Sequence, residues 1–343
     1  MTISRRDFGR LSAATAFAGA GTAALPALAG LDDKNPINVT VTGATVRGYP
    51  KLVVEGLNAV LREAYPGSAI TFKPGSPAGG VQEVADGRAH FTATTSATEI
   101  KLAHEGAAPF KASLKGKIAF VMLLHEQQLL HFLMTKAWAD ENGIRTWDDI
   151  AKKKPKMRLA INGLDNPQTN IGGPYAIFKE HGFEPDDIKK WGGSMIIGNS
   201  GIGLDALQDG KADVFMNARF PADATVRDVS NKRPMMWIDG DPAKIKRAAE
   251  AWGSKLHMVA KGMYPFVDKD MPSIMQWTSV VAGAGVEDEL VYKFVRGIAE
   301  GHQQVQKIHK SLAGFTPKEM ARNPAGLAFH PAAAKYYKEK GLI

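Results

Sequence analysis

Apolar side chains spaced three and four residues apart predict helices along this chain, and shorter alternating runs predict strands. Residues 37–42 alternate as a strand, and Val53, Leu57 and Val60 then share one helical face. A second strand follows at residues 69–73. The order of strand, polar glycine turn and helix, repeated, is typical of the start of a parallel α/β sheet.

One unit of this kind occurs twice, in residues 79–96 and in residues 201–219. In each copy a glycine turn opens a short helix, an Asp-Gly pair ends it, and an apolar strand follows. Each strand ends in polar side chains, which are Thr94, Thr95 and Ser96 in the first copy and Asn217 and Arg219 in the second. Ligands of open α/β sheets bind beyond the carboxyl ends of strands, so the two copies predict two sides of a cleft. Asp-Gly is also a common helix-to-strand turn, which explains the repeat without any function.

The middle of the chain indicates a crossing between two lobes. Residues 118–124 and 129–135 are predicted as two apolar strands, and the polar residues 125–128 between them mark the crossing. The order of strand, polar loop and helix then recurs over residues 157–181, and one long amphipathic helix is expected over residues 287–305. Lobe closure would require a hinge, which we place near the crossing.

Composition indicates a globular chain long enough for two domains, with 343 residues, of which 44% are hydrophobic and 23% charged. The formal net charge of +8 favours an acidic ligand or an anionic surface. No nucleic-acid motif accompanies it, so nucleic acid is not an expected partner. The chain has no cysteine, its histidines lack metal-binding spacings, and nucleotide and hydrolase motifs are missing. We therefore expect no metal, no cofactor and no catalytic residues.

Residues 1–29 have the pattern of an export signal. Arg5 and Arg6 precede a weakly apolar Ala/Gly-rich run, and Ala27-Leu28-Ala29 has the small-x-small form of a cleavage site. The paired arginines indicate twin-arginine export. A membrane anchor is the alternative, but the run is poor in large apolar residues and is interrupted by Pro26. The sequence predicts a mature protein in a bacterial periplasm.

Several motifs resemble those of the TAXI-type solute-binding receptors of tripartite ATP-independent periplasmic (TRAP) transporters. Thr42-Gly43 with Gly48-Tyr49 resembles the Thr-Gly turn and Gly-x-Tyr of that family. Residues 207–215, LQDGKADVF, resemble its Asp-Gly corner, and residues 330–341, HPAAAKYYKEKG, are the most specific match. The resemblance covers nearly all of residues 37–343.

The resemblance implies an α/β protein with the two-lobed Venus-flytrap fold of type II periplasmic binding proteins, each lobe a mostly parallel sheet flanked by helices. We assign residues 30–130 and 268–343 to lobe I and residues 131–267 to lobe II. The leading interpretation is a protein that captures a small organic acid, a carboxylate or an amino acid, and delivers it to the integral-membrane TRAP permease subunits that the family implies. We expect a monomer. On this interpretation the protein is not an enzyme. A secreted two-lobed enzyme is the alternative, because folds of this kind also occur in enzymes.

The candidate ligand-binding residues are hydroxyl, amide, guanidinium and glycine positions in the polar turns at strand ends. Those of lobe I are Thr42, Gly43, Thr45, Arg47, Tyr49, Ser76, Gly79, Thr95 and Ser96. Those of lobe II are Asn162, Asn166, Gln168, Thr169, Asn217, Arg219 and Tyr264. Ordinary turn residues, which bond their own backbone, have the same pattern.

Arg219 is the residue that we expect to bind a carboxylate of the ligand. It stands at the end of the second repeated strand, where the resembling family usually has a small residue, and a guanidinium can pair with both carboxylate oxygens. Arg47 is the second candidate, and an ion pair of Arg219 with an acid such as Asp223 is the structural alternative. The Gly-Ser-Gly-Thr turn of that family is replaced here by residues 166–169, NPQT, so its usual ligand does not carry over.

Overall fold

A computed structural model describes residues 34–43, 48–162 and 172–343 of the chain. The predicted export signal lies outside the described residues. So do five of the predicted ligand-binding residues, Thr45, Arg47, Asn166, Gln168 and Thr169. No helix in the described part of the chain is both long and apolar enough to cross a membrane.

The first part of the chain builds three parallel strands with helices between them. Its elements are β1 (Asn38–Gly43), α1 (Tyr49–Ala64), β2 (Ala69–Pro74), a 3-10 turn (Pro77–Gly80), α2 (Val81–Ala85), β3 (Phe91–Thr92), β4 (Thr95–Ser96) and α3 (Ala97–Glu105). β1 pairs in parallel with β2 and with β3. Pro50 lies in the first turn of α1, where its missing N–H has no helical partner to lose. Gly87, with φ 71°, follows α2 in the left-handed conformation that the Asp-Gly pattern predicts.

The next strand, β5 (Ile118–Thr135), is continuous over 18 residues. The prediction of two strands separated at residues 125–128 was wrong. These residues stay extended because they pair with a later strand, His125 opposite Thr278 and Gln128 opposite Gln276. Polar side chains interrupt the apolar pattern here, but strand pairing satisfies the backbone and so continues through it.

The second part of the chain repeats the arrangement of parallel strands and helices. Its elements are α4 (Lys136–Asn142), α5 (Trp147–Lys153), β6 (Arg158–Ile161), α6 (Gly172–Glu180), α7 (Pro185–Lys190), β7 (Ser194–Ile197), α8 (Ser200–Gln208), β8 (Val214–Arg219), α9 (Ala224–Lys232), β9 (Met235–Trp237), α10 (Pro242–Ala251) and β10 (Lys255–Val259). β6 pairs in parallel with β7 and with β8. Gly210, with φ 73°, follows α8 as Gly87 follows α2, so both copies of the repeated unit end their helix in the same way.

The chain then returns to the first part. The remaining elements are β11 (Met271–Gly283), α11 (Asp288–Glu300), α12 (His302–Ile308), a 3-10 turn (Lys310–Leu312), α13 (Pro317–Met320) and α14 (Pro331–Glu339). The prediction of one helix over residues 287–305 was wrong, because α11 and α12 are separate helices that meet at Gly301. A Cβ on Gly301 would lie 2.4 Å from Val60 Cγ1, so glycine lets this junction approach α1 closely.

β5 and β11 are the antiparallel centre of a sheet with the strand order β2-β1-β3-β11-β5-β8-β6-β7. Each of these two long strands passes from one hydrophobic core to another. Along β5 the change of core falls between Leu124 and Leu129, and along β11 it falls between Met275 and Val280. The predicted α/β arrangement of two lobes, each with mostly parallel strands flanked by helices, is therefore confirmed. The assignment of the lobe limits to residues 130 and 267 stays a prediction.

Candidate functional site

A cavity of about 780 Å³ lies between the two parts of the chain. Its wall on the side of the first part includes Tyr49, Thr94, Glu99 and His309. The wall on the other side includes Asn162, Asn199, Ser200, Asn217, Arg219, Phe220 and Asp223. Small-molecule sites commonly enclose about 300–1,000 Å³, so the cavity has the size of a ligand site.

Four of the predicted ligand-binding residues lie on the wall of this cavity: Tyr49, Asn162, Asn217 and Arg219. The polar ends of both repeated strands reach it, through Thr94 in the first copy and Asn217 in the second. The other seven predicted residues that the structure describes lie behind or beside the wall, and they are Thr42, Gly43, Ser76, Gly79, Thr95, Ser96 and Tyr264. Their assignment as ligand contacts stays a prediction.

The hydroxyl groups predicted in the first part have hydrogen-bond partners within that part. The Oγ1 of Thr42 lies 2.6 Å from the Oγ of Ser76, and the Oγ1 of Thr95 donates to the Oγ1 of Thr92 at 2.6 Å. The backbone N–H of Ser76 donates to the carbonyl oxygen of Gly43 at 3.1 Å. These contacts hold the turns at the ends of β1, β2 and β3 in place, since each buried hydroxyl has a partner.

Glu99 is a wall residue that the sequence analysis missed. Ser96 caps α3, its hydroxyl accepting from the N–H of Glu99 while the Glu99 carboxylate accepts from the N–H of Ser96. The spacing Ser-x-x-Glu is the signature of such a capping box, so this helix start was open to prediction. Gly79 makes room for the carboxyl group, because a Cβ there would lie 2.7 Å from Glu99 Oε1.

Arg219 is held at the cavity by three side chains. Its Nη2 donates to Asp223 Oδ1 at 2.8 Å, and its Nη1 donates to Ser200 Oγ at 3.1 Å. A weaker contact joins Nη2 to Thr225 Oγ1 at 3.2 Å. The Nε–H of Arg219 is buried and has no hydrogen-bond partner among the described residues. The guanidinium group thus keeps one buried donor for another group.

The charge on the Arg219–Asp223 pair is set by competing effects. Burial raises the pKa of Asp223, but the hydrogen bond and the positive charge of Arg219 outweigh burial and leave that pKa below its usual range. The pair is therefore ionised at neutral pH. Asp223 also caps α9 by accepting from the N–H of Val226.

Tyr264 supports the Arg219–Asp223 pair from the hydrophobic core of the second part of the chain. Its hydroxyl accepts from the backbone N–H of Asp223 at 2.8 Å and lies 2.8 Å from Nε2 of His131. Burial raises the pKa of Tyr264 above its usual value and lowers that of His131 to about 4. Both groups are neutral at pH 7, so they act on Asp223 by position and not by charge.

Two amides lie side by side at the carboxyl ends of β6 and β8. Asn162 Nδ2 donates to Asn217 Oδ1 at 3.1 Å, and both side chains are buried. The Oδ1 of Asn162 is buried and has no hydrogen-bond partner in the part of the chain that the structure describes. A buried amide oxygen on a cavity wall is a ready acceptor for a donor group of a ligand, because leaving it unpaired costs free energy.

Four aromatic rings join the two parts of the chain beside the cavity. Phe220, which follows β8, has its ring centroid 5.1 Å from Tyr49, 4.6 Å from His309 and 5.6 Å from His125. Tyr49 also lies 5.1 Å from His309 and 5.4 Å from His125. We call Tyr49, His125, Phe220 and His309 the aromatic junction. Only Tyr49 was predicted, because rings from separate segments have no local sequence pattern.

The start of α8 reaches the cavity, but its backbone N–H groups are already used. The side chain of Asn199 accepts from the N–H groups of Gly201 and Ile202. An anion therefore finds no free capping site at this helix start. Among the described residues no group of three His, Asp or Glu side chains could hold a metal ion.

Comparison with solved structures agrees with this fold. MatC from Rhodopseudomonas palustris, solved with bound malate, aligns over 90% of this chain and 99% of that chain, with a TM-score of 0.53 and 16% identity. The periplasmic sulfonate-binding protein SsuA from Methylobacillus flagellatus aligns over 90% and 88% with a TM-score of 0.43 and 13% identity. No match was found among curated protein sequences. The fold is that of the two-lobed periplasmic binding proteins.

A family model assigns the chain more specifically. The model of the NMT1-like family matches residues 53–341, which is most of the chain. The protein belongs to the NMT1-like family.

Proposed function

We propose that this protein is a periplasmic solute-binding protein that captures a small organic acid between its lobes and delivers it to a membrane transporter. The observation that carries the proposal is the position of Arg219. Its guanidinium group lies on the wall of the cavity between the two parts of the chain, and its buried Nε–H has no partner among the residues described. A carboxylate is the anion that a guanidinium binds with two parallel hydrogen bonds.

The ionised partner Asp223 does not exclude this role. Asp223 takes up Nη2 of Arg219, while Nη1 is held only by the neutral hydroxyl of Ser200. The unpaired Nε–H lies on the edge that it forms with Nη2, so a carboxylate of the ligand that accepts from Nε–H shares this edge with Asp223, and a further ligand oxygen can replace the Ser200 hydroxyl at Nη1. Asn162 Oδ1 would accept a further donor from the ligand, which gives the cavity both donors and acceptors.

The transporter that we propose as partner is a TRAP permease of the TAXI type. The support for this is the resemblance of the 42–49 turn and of residues 330–341 to that family. Export by the twin-arginine route, from the pattern of residues 1–29, would bring the protein to the periplasm. The protein would then bind and release its ligand without changing it, as a monomer.

Mass spectrometry of small molecules released from the purified, gently denatured protein tests this function. We expect one carboxylic acid in amounts close to the amount of protein, and we expect the same compound to raise the melting temperature when it is added back. A neutral or cationic compound in its place would contradict the proposal. Chemical conversion of the added acid by the protein would favour the enzyme alternative.

A further inference from the structure

The carboxyl group of Glu99 lies on the wall of the cavity, in the first part of the chain. The residue is 2% exposed, and its Oε2 accepts from the backbone N–H of Ser96 at 2.6 Å. Its other oxygen, Oε1, has no hydrogen-bond partner among the described residues. One oxygen is thus held by the helix start, and the other is left to the cavity.

A second capping box shows that this carboxyl group is unusual. Asp149 belongs to the capping box of α5, where its carboxylate accepts from the N–H groups of Arg145 and Thr146 at 2.9 and 3.0 Å. Burial raises the pKa of Asp149, but these hydrogen bonds outweigh it and the pKa is below its usual value. At Glu99 burial is the larger effect and raises the pKa to about 7, in spite of the bonds with Ser96. The two capping boxes therefore differ in the balance between burial and hydrogen bonding, and only at Glu99 does burial prevail.

Among the residues that the structure describes, no cation pairs with Glu99, although Lys310 lies on the wall of the same cavity. The charged or titratable side chains of α3 and of the elements packed against it are Glu83, Lys101, His104 and Glu105. Lys101 pairs with Glu105, and β4 and β11 carry no charged side chain. Across the cavity, Arg219 is paired with Asp223. An ionised Glu99 would be a buried charge without a partner, which is costly, so the neutral form is favoured.

We propose that Glu99 is a proton-uptake site of the binding cleft, where Oε1 carries a proton and donates it to a second oxygen of the bound acid. This inference rests on the proposed function. The proton comes from water, the Oε1–H bond forms, and no bond of the ligand breaks. The ligand is then an acid with a second oxygen acceptor besides the carboxylate that Arg219 binds, and not one that offers an ammonium group to Glu99.

Calorimetry on the purified protein tests the inference. A panel of four- and five-carbon dicarboxylates, oxo acids and amino acids is first screened by thermal shift at pH 6. The best binder is then titrated at pH 6, 7, 8 and 9 in buffers of different ionisation enthalpy, which count the protons taken up. We expect uptake approaching one proton at pH 8 and above, and affinity that falls up to roughly tenfold per pH unit above pH 7.

Glu99→Gln is the decisive variant, because glutamine keeps a hydrogen-bond donor but cannot ionise. We expect it to bind at pH 6 with nearly the affinity of the unchanged protein. It should take up no proton on binding, and its affinity should not change with pH up to pH 9. Asp149→Asn, in the capping box of α5, is the matched control. We expect it to keep both the proton uptake and the decrease of affinity with pH. Proton release on binding, a slope that survives Glu99→Gln, or loss of binding in Glu99→Gln at every pH would overturn the inference.

Thermal unfolding without ligand gives an independent measurement. At pH 8 the unfolded chain has lost the proton of Glu99. The folded unchanged protein must either bury a charged carboxylate or keep that proton, and both lower its stability relative to the unfolded chain. The melting temperature of Glu99→Gln relative to the unchanged protein should therefore be higher at pH 8 than at pH 5. An equal difference at both values would overturn the inference. A panel without any binder would contradict the proposed function and this inference together, whereas a binder without proton uptake contradicts this inference alone.

Discussion

The hydroxyl oxygen of Tyr264 lies 2.8 Å from the backbone nitrogen of Asp223 and accepts its N–H. This bond ties the loop that carries Asp223 to the core of the second lobe, where Tyr264 is fully buried. Since Asp223 pairs with Arg219, Tyr264 positions a group that faces the cavity without facing it itself.

Tyr264→Phe removes this acceptor and leaves the N–H of Asp223 and the Nε2 of His131 without their partner. An unpaired buried polar group costs about 1–3 kcal/mol. We expect a lower free energy of unfolding by that amount and a weaker affinity for the ligand, measured by urea unfolding and calorimetry. Tyr292→Phe, which loses a hydrogen bond to Glu339 far from the cavity, is the control and should keep its affinity. Equal affinity in both variants would contradict a positioning role for Tyr264.

The aromatic junction is expected to favour lobe closure. Three of the ring contacts in the aromatic junction involve Phe220. Each aromatic pair stabilises the packed state by about 0.5–1.5 kcal/mol. Small-angle scattering of Phe220→Ala should therefore show a larger radius of gyration without ligand, with a hinge near residues 125–130 and 267–273. Phe329→Ala removes a ring that packs on Phe120 and Tyr337 instead, and should leave the radius unchanged. A radius that is the same in all three proteins would argue against closure through these rings.

The buried histidines predict a loss of stability in acid. Burial lowers the pKa of His131 to about 4 and that of His125 to about 3, from an unfolded value near 6.5. Below pH 6.5 the unfolded chain binds protons that the folded protein does not, so stability falls as the pH decreases toward these values. At about 1.4 kcal/mol per pKa unit, His131 alone contributes a loss of roughly 3 kcal/mol.

His125→Phe separates this effect from the titration of carboxylates. Phenylalanine keeps a ring in the aromatic junction and removes the buried Nε2, which has no partner among the described side chains and backbone groups. Urea unfolding between pH 7.5 and pH 4.5 should show a smaller loss of stability in this variant. His302→Gln, at a partly buried position at the start of α12, is the control. A pH dependence as steep as that of the unchanged protein would show that His125 does not stay neutral when buried.

The alternation of strand, glycine turn and helix predicted most of the fold, because these signals are local. Pro50 at the start of α1 and the glycines after α2 and α8 adopt the conformations that their positions require. The continuity of β5 could not be predicted in this way. The polar residues 125–128 are extended because of their partners on β11, which are about 150 residues away in the chain.

The candidate site was predicted only in part, for a related reason. Asn162, Asn217 and Arg219 stand at strand ends, where topology alone places them at the cavity. Tertiary packing, which no local sequence pattern predicts, brings three further residues to the cavity: Phe220, His309 and Asp223. Glu99 was predictable as a capping residue but not as a wall residue, because its place at the cavity depends on tertiary packing, including the close approach of Gly79.

Asp223→Asn tests whether Arg219 only stiffens its loop. Asparagine can still accept from the N–H of Val226 and cap α9, while the charge that pairs with Arg219 is lost. If the guanidinium group binds the ligand, affinity in this variant should stay within a few-fold or increase, because Arg219 is freed. If the ion pair matters only for the loop, Asp223→Asn should weaken binding as much as the loss of Arg219 does.

Calorimetric titration of Arg219→Ala with the acid identified by mass spectrometry tests the central claim most directly. Removing one partner of a buried charge pair costs about 2–5 kcal/mol, so we expect the dissociation constant to rise roughly 30-fold or more. Arg227→Ala, on the exposed side of α9, should bind as the unchanged protein does. An unchanged dissociation constant in a folded Arg219→Ala protein would contradict the binding of the ligand's carboxylate by Arg219.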